Sequence, residues 1–172
     1  MKLISSLFFT VISLMSFAQL PSDWMGHFEG ELTSVNLAGK TANFHMELDI
    51  ELNSDSTYNF TLTYGQDEQQ QKRSYLLKKA DQNHYTLDEQ NGIELDMNFG
   101  NNRLVSVFEV QGNFLHVSYI KTKKGFKYEL SSSKKAKKTG GEKDANGNEI
   151  PAVQSYNTLS FQYATLKKTK KK

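Results

Sequence analysis

The chain has no cysteine. Disulfides, thiolate nucleophiles, Cys-ligated zinc and lipid attachment to an N-terminal Cys are therefore excluded. An exported chain of this kind is held by its core alone. About 150 residues suffice for that, since such domains bury ~70% of their unfolded surface. Beyond the first 18 residues no apolar run is long enough to span a membrane. No apolar i, i+3, i+4, i+7 stripe survives there either, so no significant helix is expected. Nucleophile motifs, phosphate-cradling glycine loops and zinc-binding His pairs are also missing. Catalysis has little to stand on, and neither a metal nor a cofactor is expected.

The first 18 residues have the layout of a secretory signal peptide. Lys2 gives a short positive start, Leu3 to Phe17 is mostly apolar, and Ser16-Phe17-Ala18 offers small residues for cleavage before Gln19. This SFAQ-type region resembles those of exported proteins from Gram-negative bacteria, which implies a periplasmic or secreted protein. The net charge of +2 hides an asymmetry. Leu20 to Leu130 carries 10 Lys and Arg against 16 Asp and Glu; Ser131 to Lys172 carries 10 Lys against 3 acids. An acidic body thus bears a basic C-terminal region.

The chain is organised around the hairpin Phe44 to Tyr64. Phe44, Met46, Leu48, Ile50 and Leu52 alternate with His45, Glu47, Asp49 and Glu51. Strand side chains point to opposite faces with period two, so this is a half-buried antiparallel strand. Asn53 to Ser56 turns, and Tyr58, Phe60, Leu62 and Tyr64 line one face of the return arm. Most of the chain repeats this unit. Trp24 to Asn36 reads as the first strand, with Trp24, Phe28 and Leu32 inward. Strands follow at Arg73–Lys79, His84–Asp88, Ile93–Phe99, Leu104–Val110, Phe114–Ile120 and Phe126–Leu130. Asn91-Gly92 is the strongest local hairpin signal, as a type I′ turn needs positive φ at both central residues. Residues 131–152, rich in Lys, Ser and Gly, read as a flexible loop. Val153 to Leu166 is the last strand, and 167–172 a basic tail.

Residues 19–166 thus form one all-β domain of about ten strands joined by short turns. An antiparallel up-and-down meander of that length is expected to close into a barrel, since an open sheet would leave two exposed edges. A two-sheet sandwich is the rival. The pattern resembles the calycin group of lipocalins, fatty-acid-binding proteins and avidins, in which an early Trp stands beside Gly near the first strand. Here the order is Trp24-Met25-Gly26 rather than Gly-x-Trp, and Asn36 to Lys40 is too short for a helical lid. The resemblance implies a cavity for a small apolar or amphipathic ligand.

Arg73 and Tyr75 share an inward face by parity. A buried Arg must find an anion or several acceptors, and Arg with a Tyr hydroxyl makes a natural carboxylate anchor; the alternative is that Arg73 opens its strand beside a polar loop and reaches solvent at the rim. Trp24, Tyr58, Tyr64 and Phe108 are the candidate wall. Inward Tyr hydroxyls need partners, although aromatic strands are also ordinary barrel packing. The strand Leu104–Val110 is apolar on both faces, with Val105 and Val107 opposite Leu104, Phe108 and Val110. Glu109 shares the face of Val105 and Val107, as a candidate acid-base or as the partner of a nearby Lys.

The expected function is non-catalytic binding of a small hydrophobic or amphipathic ligand in a lipocalin-like barrel. The alternatives are a filled-core interaction module docking on an envelope partner and, more weakly, a hydrolase-type enzyme. An anionic envelope surface would be met through Lys167, Lys168, Lys170, Lys171 and Lys172. Nucleic acid is not expected, because the body is acidic and no basic-aromatic interleaving occurs.

Overall fold

The period-two alternation becomes ten antiparallel strands: β1 (Gly26–Asn36), β2 (Thr41–Leu52), β3 (Tyr58–Tyr64), β4 (Gln71–Lys79), β5 (His84–Asp88), β6 (Glu94–Gly100), β7 (Arg103–Val110), β8 (Asn113–Thr122), β9 (Gly125–Thr139) and β10 (Val153–Thr169). The computed structural model describes residues 19–65 and 67–170. The expected leader, residues 1–18, lies outside the described residues, as do Lys171 and Lys172. Each strand pairs with its sequence neighbours, and β10 closes the ring against β1. The sandwich is thereby excluded. Closure is set by a continuous register, from His27 opposite Thr169 to Asn36 opposite Ser160. The thinnest seam is β6–β7, where only Asn98–Gly100 pairs with Arg103–Val105.

The two ends of the barrel differ. One end gathers the β2–β3, β4–β5, β6–β7 and β8–β9 turns, and here the chain plugs its own barrel. A 3-10 turn, Ser22–Trp24, precedes β1, and Trp24 is fully buried. Its indole meets Phe99 and Phe126 edge-on, with centroids 5.3 and 4.9 Å apart. The Leu20 N–H donates to the Tyr58 hydroxyl at 3.1 Å, and Lys121 Nζ donates to Asp23 at 2.9 Å. Trp24 is therefore not on the first strand, as alternation suggested. The strand starts at Gly26, whose φ of +131° suits glycine and lets the chain turn from plug to wall. Above the plug lies the core, with Phe28, Met46, Leu48, Ile50, Phe60 and Phe126 all fully buried.

Three further expectations are corrected. The β5–β6 turn is not a two-residue type I′ turn. Its positive φ values fall on Gln90 and Gly92, and the Glu89 N–H bonds the Ile93 carbonyl. The loop is thus one residue wider and Asn91 serves by its side chain, accepting from the Ile93 N–H at 3.0 Å. Residues 131–139, expected to be flexible, continue β9. They pair with β10 from Thr139 opposite Val153 down to Ser131 opposite Phe161. Residues 131–134 also pair with β8 and belong to the barrel wall, and residues 135–139 run on with β10 alone as a two-stranded ribbon. Its backbone hydrogen bonds are satisfied within the pair, so it needs no apolar face. The basic tail does not begin at residue 167, because Lys167, Lys168 and Thr169 pair with Glu29, Phe28 and His27. The Lys168 ammonium donates to the Met25 carbonyl at 2.8 Å.

Candidate functional site

The other end of the barrel, where the β1–β2, β3–β4 and β7–β8 turns lie, is open. A cavity of about 800 Å³ descends from it, lined by Leu32, Phe44, Tyr64, Arg73, Leu115, Tyr128, Leu130 and Gln162, among others. Every lining side chain within a strand follows the inward parity of that strand. Arg73 shares its face of β4 with Tyr75 and Leu77, and Tyr64 ends the inward row of β3 that begins with Tyr58 and Phe60. The apolar lining comes from β1, β2, β8 and β9, and polar groups stand nearest the rim.

Arg73 is exposed at the mouth rather than buried, and its guanidinium acts on four phenols, Tyr64, Tyr75, Tyr119 and Tyr128. It donates a hydrogen bond to the Tyr75 hydroxyl, and that bond, more than any other interaction, raises the guanidinium pKa. Burial raises Tyr75 in turn. Tyr64 is pushed up to about 12, chiefly by burial, although a hydrogen bond from Tyr128 opposes this. Tyr119 and Tyr128 lie deeper, and burial lifts both well above the ordinary phenol value. Their rings pack 5.3 Å apart. All four phenols are therefore neutral near pH 7, and none offsets the charge of Arg73. No carboxylate lies within ion-pair distance of Arg73 among the described residues; Glu89 acts on it only at longer range, as the weakest of the influences that raise its pKa. The arrangement is one permanent cation among neutral hydroxyls, at the mouth of a chamber lined by apolar side chains and by Gln71, Ser132, Ser160 and Gln162. Such a group attracts an anion and can bind it through two parallel N–H donors.

No protein-family model matches the chain, and no curated protein matches it. Among solved structures, the fold is similar to the crystal structure of a protein of unknown function from the DUF3598 family of Nostoc punctiforme PCC 73102. The TM-score is 0.57 at 8% identity, covering 86% of this chain and 48% of that one. This chain spans about half the length of that protein. At such identity the likeness is one of fold alone.

Arg73 and Tyr64 line the cavity, and Tyr75 touches Arg73 from below. Trp24 and Tyr58 are at the plugged end, away from the cavity: the Tyr58 hydroxyl accepts from the Leu20 N–H, and Trp24 packs on Phe99 and Phe126. Phe108 is half-buried on the inward face of β7 and packs on the core. Parity gives the face of a residue but not its height along the barrel, which divides these six residues between two ends. Tyr119 and Tyr128 were missed, though their signal was present. Each follows the inward parity of its strand, and they are directly opposite in the β8–β9 register. Glu109 lies on the outside, 3.4 Å from Lys135, the pairing expected of a surface carboxylate.

Proposed function

We propose that this protein is an exported, non-catalytic binding barrel of calycin-like type, holding a small amphipathic molecule by an anionic head. The single observation that carries the reading is Arg73, a guanidinium with no ion-pair partner among the described residues, exposed beside neutral tyrosines at the open end of a cavity with mixed polar and apolar lining. A carboxylate head would meet Arg73 and the Tyr75 and Tyr64 hydroxyls. Its tail would run toward Leu32, Leu115 and Leu130. A barrel plugged at one end and open at the other suits a ligand taken up end-on. The basic start, apolar run and small residues of the leader support export, with Gln19 as the first mature residue.

The test is native mass spectrometry of the protein purified from its own host. The expected spectrum is a mature chain starting at Gln19, with an added mass that denaturation releases as an acidic lipid-like molecule. A bare chain that also takes up no fatty acid when a series of chain lengths is offered would overturn the binding reading. A retained leader would overturn export.

The second reading is a docking module, favoured by an exposed row on the outer wall. Val35, Phe161, Ser131, His116 and Val107 stand side by side across five strands, and Phe161 and Val107 are both about half exposed. The lysines at the plugged end, including Lys167, Lys168 and Lys170, would serve an anionic envelope surface. Equal binding to anionic and neutral vesicles would dismiss that use.

A further inference from the structure

The outer wall carries a second polar cluster, unconnected with the cavity. Register places His27 opposite Asp49, Glu29 opposite Glu47 and Glu31 opposite His45 on the outward faces of β1 and β2. The His27 side chain is only 10% exposed although it faces outward. Its Nδ1 is 2.9 Å from Asp49 Oδ1, and Asp49 is itself buried. A carboxylate can only accept, so Nδ1 carries the proton and, in the neutral ring, Nε2 keeps its lone pair. Among the described residues no donor bonds that lone pair. Its carboxylate neighbour, Glu29 Oε2, is 3.8 Å away, too far for a hydrogen bond.

One ligand atom from each of His27, Glu29 and Glu47 lies within 4.8 Å of the other two. Tetrahedral ligands on one zinc ion, at about 2.0–2.2 Å each, stand about 3.3–3.6 Å apart. The two glutamate side chains must swing inward by about 1 Å to close on an ion. The other side of Glu47 is fixed, since His45 Nε2 bonds its Oε1 at 3.0 Å. A second feature lies on the other flank of His27. Thr169 is its register partner on β10, and the Thr169 hydroxyl is buried with no hydrogen-bond partner among the described residues. Buried hydroxyls are ordinarily satisfied, and a water carried by a metal ion would satisfy this one.

We propose that His27, Glu29 and Glu47 bind a divalent metal ion, with Asp49 positioning the imidazole and a metal-bound water completing the set beside Thr169. The donors are one imidazole nitrogen and two carboxylate oxygens. That set suits zinc, whereas magnesium and calcium prefer oxygen alone. Asp49 acts as such carboxylates do behind metal-bound histidines, by fixing the tautomer and raising the basicity of the ring. Lys167, opposite Glu29 in the β10 register, is the local competitor for that carboxylate.

The test is calorimetric titration of the EDTA-stripped full chain with zinc chloride. One ion per chain is expected, with micromolar affinity. H27A should weaken it at least tenfold, and D49N about 10–100-fold with every ligand still in place. H84A removes an imidazole bound to Asp81 on a distant turn, and it should leave binding unchanged. Circular dichroism checks that each variant folds; if H27A does not, E47Q carries the same expectation as H27A. No binding by the parent chain would overturn the site, as would equal binding by H27A or E47Q, or a loss in H84A. Equal affinity for magnesium would overturn the assignment to zinc.

Discussion

Replacing Trp24 by Ala removes the plug from the closed end of the barrel. Trp24 is the chain's one tryptophan and is fully buried. An indole buries roughly 200 Å², worth about 5 kcal/mol at ~25 cal/mol per Å². A realistic unfolded chain already hides part of that area, which lowers the figure to about 3–4 kcal/mol. The edge-on contacts with Phe99 and Phe126 add about 0.5–1.5 kcal/mol each. The buried indole N–H has no partner among the described residues, and its release from burial returns about 1–3 kcal/mol. The net expectation for W24A is a loss of about 3–4 kcal/mol, within the measured range for such truncations. Domains of this size have about 5–15 kcal/mol in all, so the variant should fold but melt early. Urea unfolding followed by far-ultraviolet circular dichroism reads the loss directly. W24F keeps a ring in the plug and drops the orphaned N–H, so it should cost much less than W24A. A W24A loss under about 1 kcal/mol would refute the plug. So would a W24F loss as large as that of W24A.

Two further outcomes follow from the same packing. At Gly30 a Cβ would collide with the Thr165 carbonyl oxygen and crowd Leu166, whereas at Gly100 it would meet nothing. G30A should therefore lower the melting temperature by several degrees and G100A should barely move it; equal effects would contradict the close approach of β1 and β10. Alkaline titration reads the inward tyrosines. Burial raises Tyr58, Tyr64, Tyr75, Tyr85, Tyr119 and Tyr128, with Tyr64 and Tyr85 reaching about 12. A folded-state pKa above the unfolded value of about 10 holds the proton in the folded state. Their stabilising contribution is thus complete below pH 10 and fades as pH climbs toward 12. Phenolate absorbance should rise mainly with unfolding; eight tyrosines titrating near pH 10 in an intact barrel would contradict their burial.

The alternation at Phe44–Leu52 made the wall legible, because period two is a property of the strand itself. Closure was legible too, since a long meander with an even number of strands can pair its last strand with its first. The course of residues 131–139 was not. Ser131, Ser132 and Ser133 join the wall as serines without apolar alternation, and the two-stranded ribbon of residues 135–139, solvated on both faces, carries lysines that read as loop. Trp24 was placed on the correct side but in the wrong element. Parity ran through Gly26 without registering that glycine permits a break there. The pairing of Arg73 with Tyr75 could be read from two residues on one strand. Its neighbours Tyr119 and Tyr128 depend on registers across the barrel, which no local pattern encodes.

The central claim concerns the charge at the mouth, and dodecanoate tests it against its uncharged analogue dodecanol. Hydrogen bonds to a charged group contribute about 1.5–3 kcal/mol, or about 10–150-fold in affinity. The parent chain should prefer dodecanoate by at least the lower figure, and R73A should lose that preference while still binding dodecanol. If R73A binds dodecanoate as tightly as the parent does, Arg73 is not the anchor and the proposed site is wrong.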